Sequence, residues 1–422
     1  MRDWSECTLG ELLEIKHGFA FKGEYFSDAG DFVLLTPGNF REDGGLKLKG
    51  EKEKYYVGPF PDEYLLQHGD MIVAMTDLIQ NAPILGSPAI IPAEGKFLHN
   101  QRLGKVVKLK TDRVVPSYLF YLFNTVGVRS HIKGSATGST VRHTSPSRIY
   151  DVPVQLPPIL VQRRIASILT AYDELIENSQ RRIRILETKA RSLYREWFVN
   201  FRFPGHEQVR RVSSALGEIP KGWGEKRVDQ VCSAVLDGDW IETKDQGGAD
   251  YRLLQISNIG LGDFVETGNY RFVTEETFRR LNCTEILPDD ILVARMPTPI
   301  GRAWLASARA WKMITAVDVA IVRSAPGRVL PSFLIQAWNE ESNLKRIAAQ
   351  ASGTTRLRIT RRELAALEFI IPPVELQTRF DQLVTPIRSL VRTMSKTIDV
   401  LRQTRDLLLP RLLAGKIEME VD

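Results

Sequence analysis

A chain of 422 residues exceeds one ordinary domain, and its length predicts two to four domains. Apolar residues make up 43% and charged residues 26%, which is typical of a soluble globular protein, and no apolar run approaches the ~20 residues of a membrane helix. Three scattered cysteines fit a reducing cytoplasm and argue against a structural zinc site. The net charge of +6 is compatible with nucleic acid but does not establish binding.

Residues 1–157 are predicted to form a mixed α/β or mostly β globular domain. Short β-like runs separated by Gly, Pro and Asp occur at 32–36, 70–75, 89–92, 104–109 and 152–156. One helix is predicted from Pro116 to Ile132, with proline at its first position.

A long amphipathic helix is predicted at 158–200. Pro157-Pro158 closes the preceding chain and the next proline is Pro204, so the helix has clear limits. Its apolar residues recur at alternating steps of four and three, as in the seam of a coiled coil. This first seam comprises Ile165, Leu169, Tyr172, Ile176, Ile183, Leu186 and Leu193. About 41 helical residues span roughly 60 Å, and such a helix needs a partner for its apolar stripe.

The second half of the chain repeats the first. A polar connector at 201–220 leads to a second globular domain at 221–373, followed by a second helix at 374–415 and a tail at 416–422. The β-like runs at 251–256, 290–295 and 318–323 keep the order of the first domain. The second seam, 215 positions after the first, comprises Phe380, Val384, Ile387, Val391, Met394, Ile398, Leu401 and Leu408.

The second helix departs from the pattern at two positions. Arg405 occupies a seam position, and Pro410 is expected to kink or end the helix in its last turns. Outside the seams the match continues, since Gln162 and Gln377 stand at the same offset after a pair of prolines. The chain is therefore interpreted as a tandem duplication of a unit that makes up about half of its length.

The helices match closely and the globular domains match less well, which predicts different roles for them. Matching helices can fix a distance, whereas domains that share a scaffold but differ in their loops can do the same work on different targets. Antiparallel helices would create a pseudo-twofold axis with one globular domain near each end. That geometry suits two separated half-sites on one DNA duplex.

Several segments resemble the specificity (S) subunits of type I restriction-modification systems. They are PPILVQRRIASIL at 157–169, REWFVNFRFPG at 195–205, LGEIPKGW at 216–223, IPPVELQTRF at 371–380 and RDLLLPRLLAGKIE at 405–418. With the order of domains and helices, the resemblance extends over the whole chain. It implies an α+β fold in which two tandem mixed α/β target-recognition domains are separated by two long helices, which form an antiparallel coiled coil with pseudo-twofold symmetry.

The resemblance also implies a function. Each domain would read one half of a bipartite sequence in double-stranded DNA, and the helices would set the spacer. The chain would be a non-catalytic cytoplasmic protein that docks two methyltransferase (M) subunits and, through them, restriction (R) subunits. S-adenosylmethionine, ATP and Mg would belong to those partners, with no cofactor or metal in this chain. Consistent with this, we find no glycine-rich methyl-donor loop, no Asn-Pro-Pro-Phe/Tyr pocket and no P-loop.

Three classes of loop recur in both halves and are candidates for DNA contact. In the first class, Asn81 could read adenine, and Arg295 and Arg302 could bind guanine. The second class offers polar and basic groups to phosphates: Ser139, Thr140, Arg142, Thr354, Thr355, Arg356 and Arg358. The third class carries Asn39, Arg41 and Asn258. A solvated loop or a structural turn is the alternative role for each residue, because the resemblance assigns DNA reading to the domains and not to single residues.

Two other functions are considered. One is a coiled-coil scaffold whose globular domains bind other proteins without sequence-specific DNA binding. The other is a self-contained methyltransferase or nuclease, for which the motifs are missing. Counterion release predicts a steep loss of DNA affinity with salt, which distinguishes DNA binding from the scaffold.

Overall fold

The computed structural model describes residues 4–266, 270–353, 356–417 and 419. It divides into two compact units: unit 1 is Met1–Gln180 with Lys396–Asp422, and unit 2 is Arg181–Ser395. The division passes through both long helices, so each unit holds one globular region and part of each helix. Within the described residues, no helix combines the length and the apolar character needed to cross a membrane.

The globular region of unit 1 is built on a four-stranded antiparallel sheet of order β2-β11-β7-β9. The elements in chain order are β1 (Ser5–Thr8), β2 (Glu14–His17), β3 (Phe26–Ser27), β4 (Val33–Leu34), β5 (Tyr55–Tyr56), β6 (Leu65–Leu66), β7 (Met71–Ala74), β8 (Thr76–Asp77), β9 (Pro88–Ile90), β10 (Phe97–Leu98), β11 (Leu103–Val107), α1 (Pro116–Phe123), α2 (Val126–Gly134), β12 (Arg142–His143), α3 (Pro146–Tyr150), β13 (Pro153–Leu156) and α4 (Ile159–Tyr194). A second, five-stranded sheet has the order β3-β5-β4-β10-β6. Strand β7 is buried on both faces, since Met71 and Val73 belong to one core and Ile72 and Ala74 to another.

The single helix predicted at Pro116–Ile132 is two helices. Helix α1 ends at Phe123, and α2 begins after Thr125, whose hydroxyl accepts a hydrogen bond from the N–H of Val128. An N-cap of this type satisfies one of the N–H groups that a new helix leaves unpaired. The sequence pattern did not show this break because both helices present apolar residues to the same core.

Unit 2 repeats this architecture. Its elements are β14 (Arg211–Ser214), β15 (Gly217–Pro220), β16 (Gly224–Arg227), α5 (Val228–Val231), β17 (Cys232–Asp237), β18 (Tyr251–Leu254), β19 (Phe272–Val273), α6 (Glu275–Arg280), β20 (Ile291–Ala294), β21 (Ala303–Leu305), β22 (Lys312–Thr315), β23 (Val319–Ser324), α7 (Pro331–Asn339), α8 (Glu341–Ala349), α9 (Arg361–Ala366), β24 (Glu368–Ile371) and α10 (Val374–Leu413). The sheet β17-β23-β20-β21 corresponds to β2-β11-β7-β9 of unit 1. An ion pair recurs with it: Lys105 Nζ lies 2.6 Å from Asp70, and Arg323 Nε lies 2.7 Å from Asp290.

The two long helices are antiparallel within each unit. In unit 1, Ile165 and Leu169 near the start of α4 share a core with Leu412 near the end of α10. In unit 2, Trp197, in the π-helical turn Arg195–Val199 that extends α4, packs against Phe380 near the start of α10, with ring centroids 6.1 Å apart. Every residue of the predicted first and second seams is buried or half-buried. The α+β fold with two mixed β regions and two mutually packed long helices is thus the fold of the chain.

Arg405, the charged residue in the second seam, is part of a polar network in unit 1. Its Nη1 donates to Asp173 Oδ1 at 2.7 Å, and the hydroxyl of Tyr121 donates to Asp173 Oδ2 at 2.7 Å. The pairing with Asp173 and Asp406 raises the pKa of Arg405 although burial acts in the opposite direction. A long charged side chain is tolerated in the seam because its partner lies on the facing helix.

Two sequence expectations need correction. Helix α10 continues through Pro410 to Leu413, because Leu412 and Leu413 are buried in the unit 1 core and packing stabilises the last turn. The connector at 201–220 is more ordered than a polar linker. It contains the hairpin β14–β15, whose turn includes Gly217 at φ 107°, a conformation that suits glycine.

Candidate nucleic-acid interface

In unit 1, the loops that leave one end of the four-stranded sheet lie side by side. Ala74 at the end of β7 pairs with Leu103 at the start of β11, and β2 and β9 also end or begin here. The loop at 75–87, which carries Asn81, leaves from this end. We name this group of loops loop cluster 1.

A second loop joins loop cluster 1 through a short β-ladder. Strand β8 pairs with β12, which places Asp77 opposite Arg142 and Thr76 opposite His143. The hydroxyl of Thr76 also lies 3.0 Å from Nδ1 of His143. The ladder therefore brings two of the predicted loop classes together. The exposed residues of the joined loops include Asn81, Ser139 and Thr140.

Unit 2 has the same arrangement at the corresponding end of its sheet, which we name loop cluster 2. Ala294 at the end of β20 pairs with Val319 at the start of β23. The loop that precedes α9 joins them, because the N–H of Ile359 donates to the carbonyl of Arg295 at 3.0 Å. The same two loop classes meet in both units.

Arg295 holds loop cluster 2 together from within. Its side chain is buried, and its guanidinium donates to the carbonyls of Ile359 and Val317 and, at 2.6 Å, to Asp237. Burial lowers the pKa of this guanidinium. The sequence predicts a guanine contact for Arg295; these bonds show that its side chain has a structural role, because the loops it joins enclose it.

Arg302 is also used inside the loop. Its half-buried guanidinium donates to backbone carbonyls at 2.7 to 3.2 Å. These carbonyls belong to Ile256, Ile259, Met296 and Pro299. Most of the donors of an arginine are thereby occupied, which gives Arg302 a role in shaping the loop and leaves few donors for the predicted guanine contact.

In the second loop class, one arginine anchors each loop and the neighbouring tip is exposed. Arg142 donates to the carbonyls of Gly138 and Lys133, and Arg358 donates to the carbonyl of Val317. The exposed neighbours are Ser139 and Thr140 in unit 1 and Arg356 in unit 2. The predicted contacts Thr354 and Thr355 lie outside the described residues.

In the third loop class, the two asparagines shape equivalent turns. Oδ1 of Asn39 accepts from the N–H of Thr36 at 3.0 Å, and Oδ1 of Asn258 accepts from the N–H of Gln255 at 2.9 Å. Asn39 is 1% exposed and Asn258 is 2% exposed. Of the two roles that the sequence left open for them, the geometry supports the structural turn.

Arg41, the remaining member of the third class, lies on the surface of unit 1. Its guanidinium forms a two-point ion pair with Asp43, with Nη2 2.6 Å from Oδ2. A DNA phosphate would have to compete with this carboxylate for the guanidinium. Arg41 is therefore a weaker candidate for phosphate contact than Arg356, for which the structure shows an exposed side chain.

Three apolar side chains at the loop clusters were absent from the sequence-based candidates. Leu78 and Ile79 in loop cluster 1 are each 57% exposed, and Trp240, shortly after β17 at the same end of the unit 2 sheet, is 72% exposed. In the sequence, these three residues could have been identified by their position between a strand end and polar loop residues. Polarity and positive charge, the usual marks of DNA-contacting residues, do not select these side chains.

The surroundings of the three thiols keep them protonated. All three cysteines are buried, and burial raises the pKa of Cys232 to about 12 and that of Cys283 to about 11. A thiol in this state is mostly protonated at neutral pH and is a poor nucleophile or ligand. Among the residues that the structure describes, no cluster of His, Cys, Asp and Glu could hold a metal ion.

The repeated loop clusters on a shared scaffold define a duplicated α+β protein. Comparisons with known proteins agree with this class. Residues 1–188 match the model of the type I restriction modification DNA specificity domain. The type I restriction enzyme MjaIX specificity subunit of Methanocaldococcus jannaschii is 26% identical over 81% of this chain and 77% of its own length. The EcoBI specificity subunit of Escherichia coli is 22% identical over 98% of this chain and 86% of its own.

A solved structure supports the fold. The S subunit of a type I restriction-modification system from M. genitalium has a TM-score of 0.59 at 15% identity, over 99% of this chain and 97% of that one. The chain is thus similar to specificity subunits of type I restriction enzymes over most of its length. These relatives are named as specificity subunits, and the family model that matches residues 1–188 describes a DNA specificity domain.

Proposed function

We propose that the chain reads a two-part target in double-stranded DNA, with loop cluster 1 on one half-site and loop cluster 2 on the other. The recurrence of the same loops at the same end of the same sheet supports this proposal. The scaffold is shared and the exposed residues differ, so each cluster would recognise its own bases. Residues 1–157 and 221–373 are the two reading domains, and the protein works in the cytoplasm, where its DNA is.

The exposed polar residues of the clusters divide between phosphates and bases. Ser139, Thr140 and Arg356 offer hydroxyl, backbone and guanidinium donors of the kind that position a protein on phosphates. Asn81 is exposed in loop cluster 1 and can pair with the N6 and N7 edge of adenine. The phosphate contacts should make affinity fall steeply with salt, whereas loss of the base contact should alter sequence preference.

The two long helices are proposed to set the spacer of the target. Helices α4 and α10 each run through the boundary between the units without interruption. Their antiparallel packing within each unit ties both helices to both reading domains. A change in helix length would therefore change the number of unread base pairs.

Two copies of an M subunit are proposed to dock on the outer faces of these helices. Unit 1 exposes Leu175 and Val400 and unit 2 exposes Leu390 and Ile185, at fractions between 45% and 61%. Leu390 follows Leu175, and Val400 follows Ile185, by 215 positions, which is the repeat offset of the seams. Each unit thus presents the same pair of exposed apolar positions, as two identical partners would require. R subunits would join through the M subunits.

The docking proposal predicts a change in stoichiometry. Leu175→Ser should leave one M subunit per chain instead of two, and Leu175→Ser with Leu390→Ser should abolish docking. Native mass spectrometry of the co-purified complex measures this ratio. Glu177→Gln, an exposed change on the same helix, serves as the control. Two M subunits retained by the double variant would contradict the proposed surface.

The central test is methylome sequencing of cells that express this chain with an active M subunit, compared with cells that lack the chain. We expect one new methyladenine motif made of two specific parts and a fixed spacer. An active, co-purifying M subunit without any new motif would contradict DNA reading and favour the protein scaffold. Salt titration of duplex binding by the purified complex gives an independent measure of phosphate contact.

A further inference from the structure

We infer that Leu78 and Ile79 in unit 1 and Trp240 in unit 2 are apolar base-contacting groups that determine the specificity of their half-sites. This inference rests on the proposed function and assigns part of the base recognition to residues other than the buried arginines. It concerns the loop clusters only, so the M-docking surface is not involved.

In unit 1, a buried carboxylate presents the two apolar side chains outward. Asp77 is 1% exposed, and its carboxylate accepts from the N–H of Ile79 at 2.9 Å and from the N–H of Ile84 at 2.7 Å. The N–H of Ala82 donates to the carbonyl of Ile79 at 2.8 Å and closes a turn. The backbone around Leu78 and Ile79 is therefore held from inside while both side chains face solvent. Pre-organisation of this kind reduces the entropy lost on binding.

In unit 2, Trp240 projects from an equally well-held backbone. The N–H of the preceding residue, Asp239, donates to the carbonyl of Thr315 at 2.8 Å, and its carboxylate accepts from the N–H of Thr284. Gly238 packs so closely that an added Cβ would lie 2.2 Å from the carbonyl oxygen of Ala316. The indole follows this fixed segment and is exposed.

The chemistry of duplex DNA offers partners for such groups. The methyl group of thymine lies in the major groove and is read by apolar contact, and apolar side chains can also be inserted between base steps. Both require an apolar side chain near cationic groups that hold the phosphates. Loop cluster 1 has the exposed Arg102, whose carbonyl accepts from the N–H of Met75 at 3.0 Å, and loop cluster 2 has the exposed Arg356.

The apolar group sits on a different loop in each unit. Gly18 of unit 1 corresponds to Gly238, since an added Cβ there would also meet a backbone oxygen, that of Asn100, at 2.1 Å. The residue two positions on is Ala20 in unit 1, where unit 2 has Trp240. Leu78 and Ile79 lie in a loop of unit 1 whose counterpart in unit 2 exposes Pro297–Pro299 instead. The two half-sites should therefore differ in where the apolar contact falls.

The test uses the full chain with its M subunit, carrying either Leu78→Ser with Ile79→Ser or Trp240→Ser. Each variant should relax or shorten the methylated motif in one half only, and the two variants should affect different halves. Binding of the wild-type cognate duplex should weaken about 10-fold or more, while binding of an unrelated duplex should change little. Val57→Ser, which removes an apolar side chain that is 63% exposed elsewhere in unit 1, is the matched control and should leave the motif unchanged.

The outcomes separate this inference from the function on which it rests. Unchanged motifs and affinities in both variants, with a two-part motif from the wild type, would overturn the inference and leave the function standing. Loss of M-subunit binding would also overturn it, because the residues would then belong to a protein interface. Absence of any motif from the wild type would instead contradict the proposed function. Thermal unfolding of each variant checks that the units remain folded.

Discussion

The side-chain oxygen of Gln162 accepts a hydrogen bond from the backbone N–H of Val115 at 2.9 Å. The amide nitrogen of Gln162 donates to the carbonyls of Arg113 and Pro157, both at 2.9 Å. One buried glutamine thus ties the first turns of α4 to the residue before α1. Unit 2 repeats the arrangement, with Gln377 accepting from the N–H of Leu330 at 2.8 Å.

Gln162→Ala should destabilise unit 1. The change leaves one buried N–H and two carbonyls without their partner, so we expect a loss of about 1–3 kcal/mol in the free energy of unfolding. Urea denaturation measures the loss. Gln155→Ala, which removes an exposed hydrogen bond to Glu6, is the control and should change stability by less than about 0.5 kcal/mol. An equal effect of both substitutions would contradict the role assigned to Gln162.

Arg405→Ala should also destabilise unit 1, because Asp173 would lose its ion-pair partner on the facing helix. Asp173 keeps the hydrogen bond from Tyr121 and some solvent contact, so we expect about 1–3 kcal/mol, less than for a fully buried pair. A double-mutant cycle with Asp173→Ala should be non-additive. Arg402→Ala on the exposed face of α10 is the control.

His99 should make unit 1 sensitive to acid. Burial lowers its pKa from 6.5 to about 4 in the folded chain. The unfolded chain takes up the proton first as the pH falls, so the stability present above about pH 6.5 is lost towards pH 4. Between pH 7 and pH 5 the loss from this one group is about 2 kcal/mol.

Comparison of wild type with His99→Gln at the two pH values isolates this contribution from other titrating groups. The variant should lose less stability than the wild type on going from pH 7 to pH 5. His131→Gln, at an exposed histidine of α2, should lose as much as the wild type. Identical pH dependence in wild type and His99→Gln would show that His99 does not remain neutral in the folded chain.

Substitution of Arg295 should lower the stability of the protein, whereas substitution of Arg356 should lower its affinity for DNA. Arg295→Ala removes buried bonds within loop cluster 2 and should lower thermal stability. Arg356→Ala removes an exposed cation, so it should leave stability unchanged and reduce the slope of log affinity against log salt by about 1. Fluorescence anisotropy over a salt series and differential scanning calorimetry measure the two effects. A stable Arg295→Ala protein with an altered half-site would restore the direct guanine contact expected from the sequence.

Lengthening both long helices should lengthen the spacer of the target. Duplication of 174–180 after Gln180 and of 389–395 after Ser395 adds one heptad to each helix at the boundary between the units. The added ~10 Å corresponds to about three base pairs. The methylated motif should keep both half-sites and gain that spacer. A heptad added to α4 alone breaks the register of the seams and should abolish methylation. An unaltered spacer in the double insertion would contradict the proposal that the helices set the spacer.

Sequence alone determined the duplication, the presence of both long helices and the positions of their seams, whereas the continuation of α10 past Pro410 depends on tertiary packing. Apolar spacing within a helix is a local property, and the common offset of Gln162 and Gln377 is visible without coordinates. The central strands of the four-stranded sheets, β7 and β11 in unit 1 and β20 and β23 in unit 2, were located for the same reason, because they are short apolar runs. The edge strands β2, β17 and β21 were not predicted. The family resemblance followed from these segments taken together.

Only the tertiary structure decided which loop residues are available to DNA. The role of Arg295 depends on carbonyls such as that of Ile359, 64 positions away, and sequence spacing carries no record of such contacts. The same applies to Arg405, whose acidic partner lies 232 positions earlier. Exposure of Trp240 and of Leu78 is likewise a property of the folded loops. Burial and exposure are set by the neighbours that the fold supplies, and residue type by itself does not determine them.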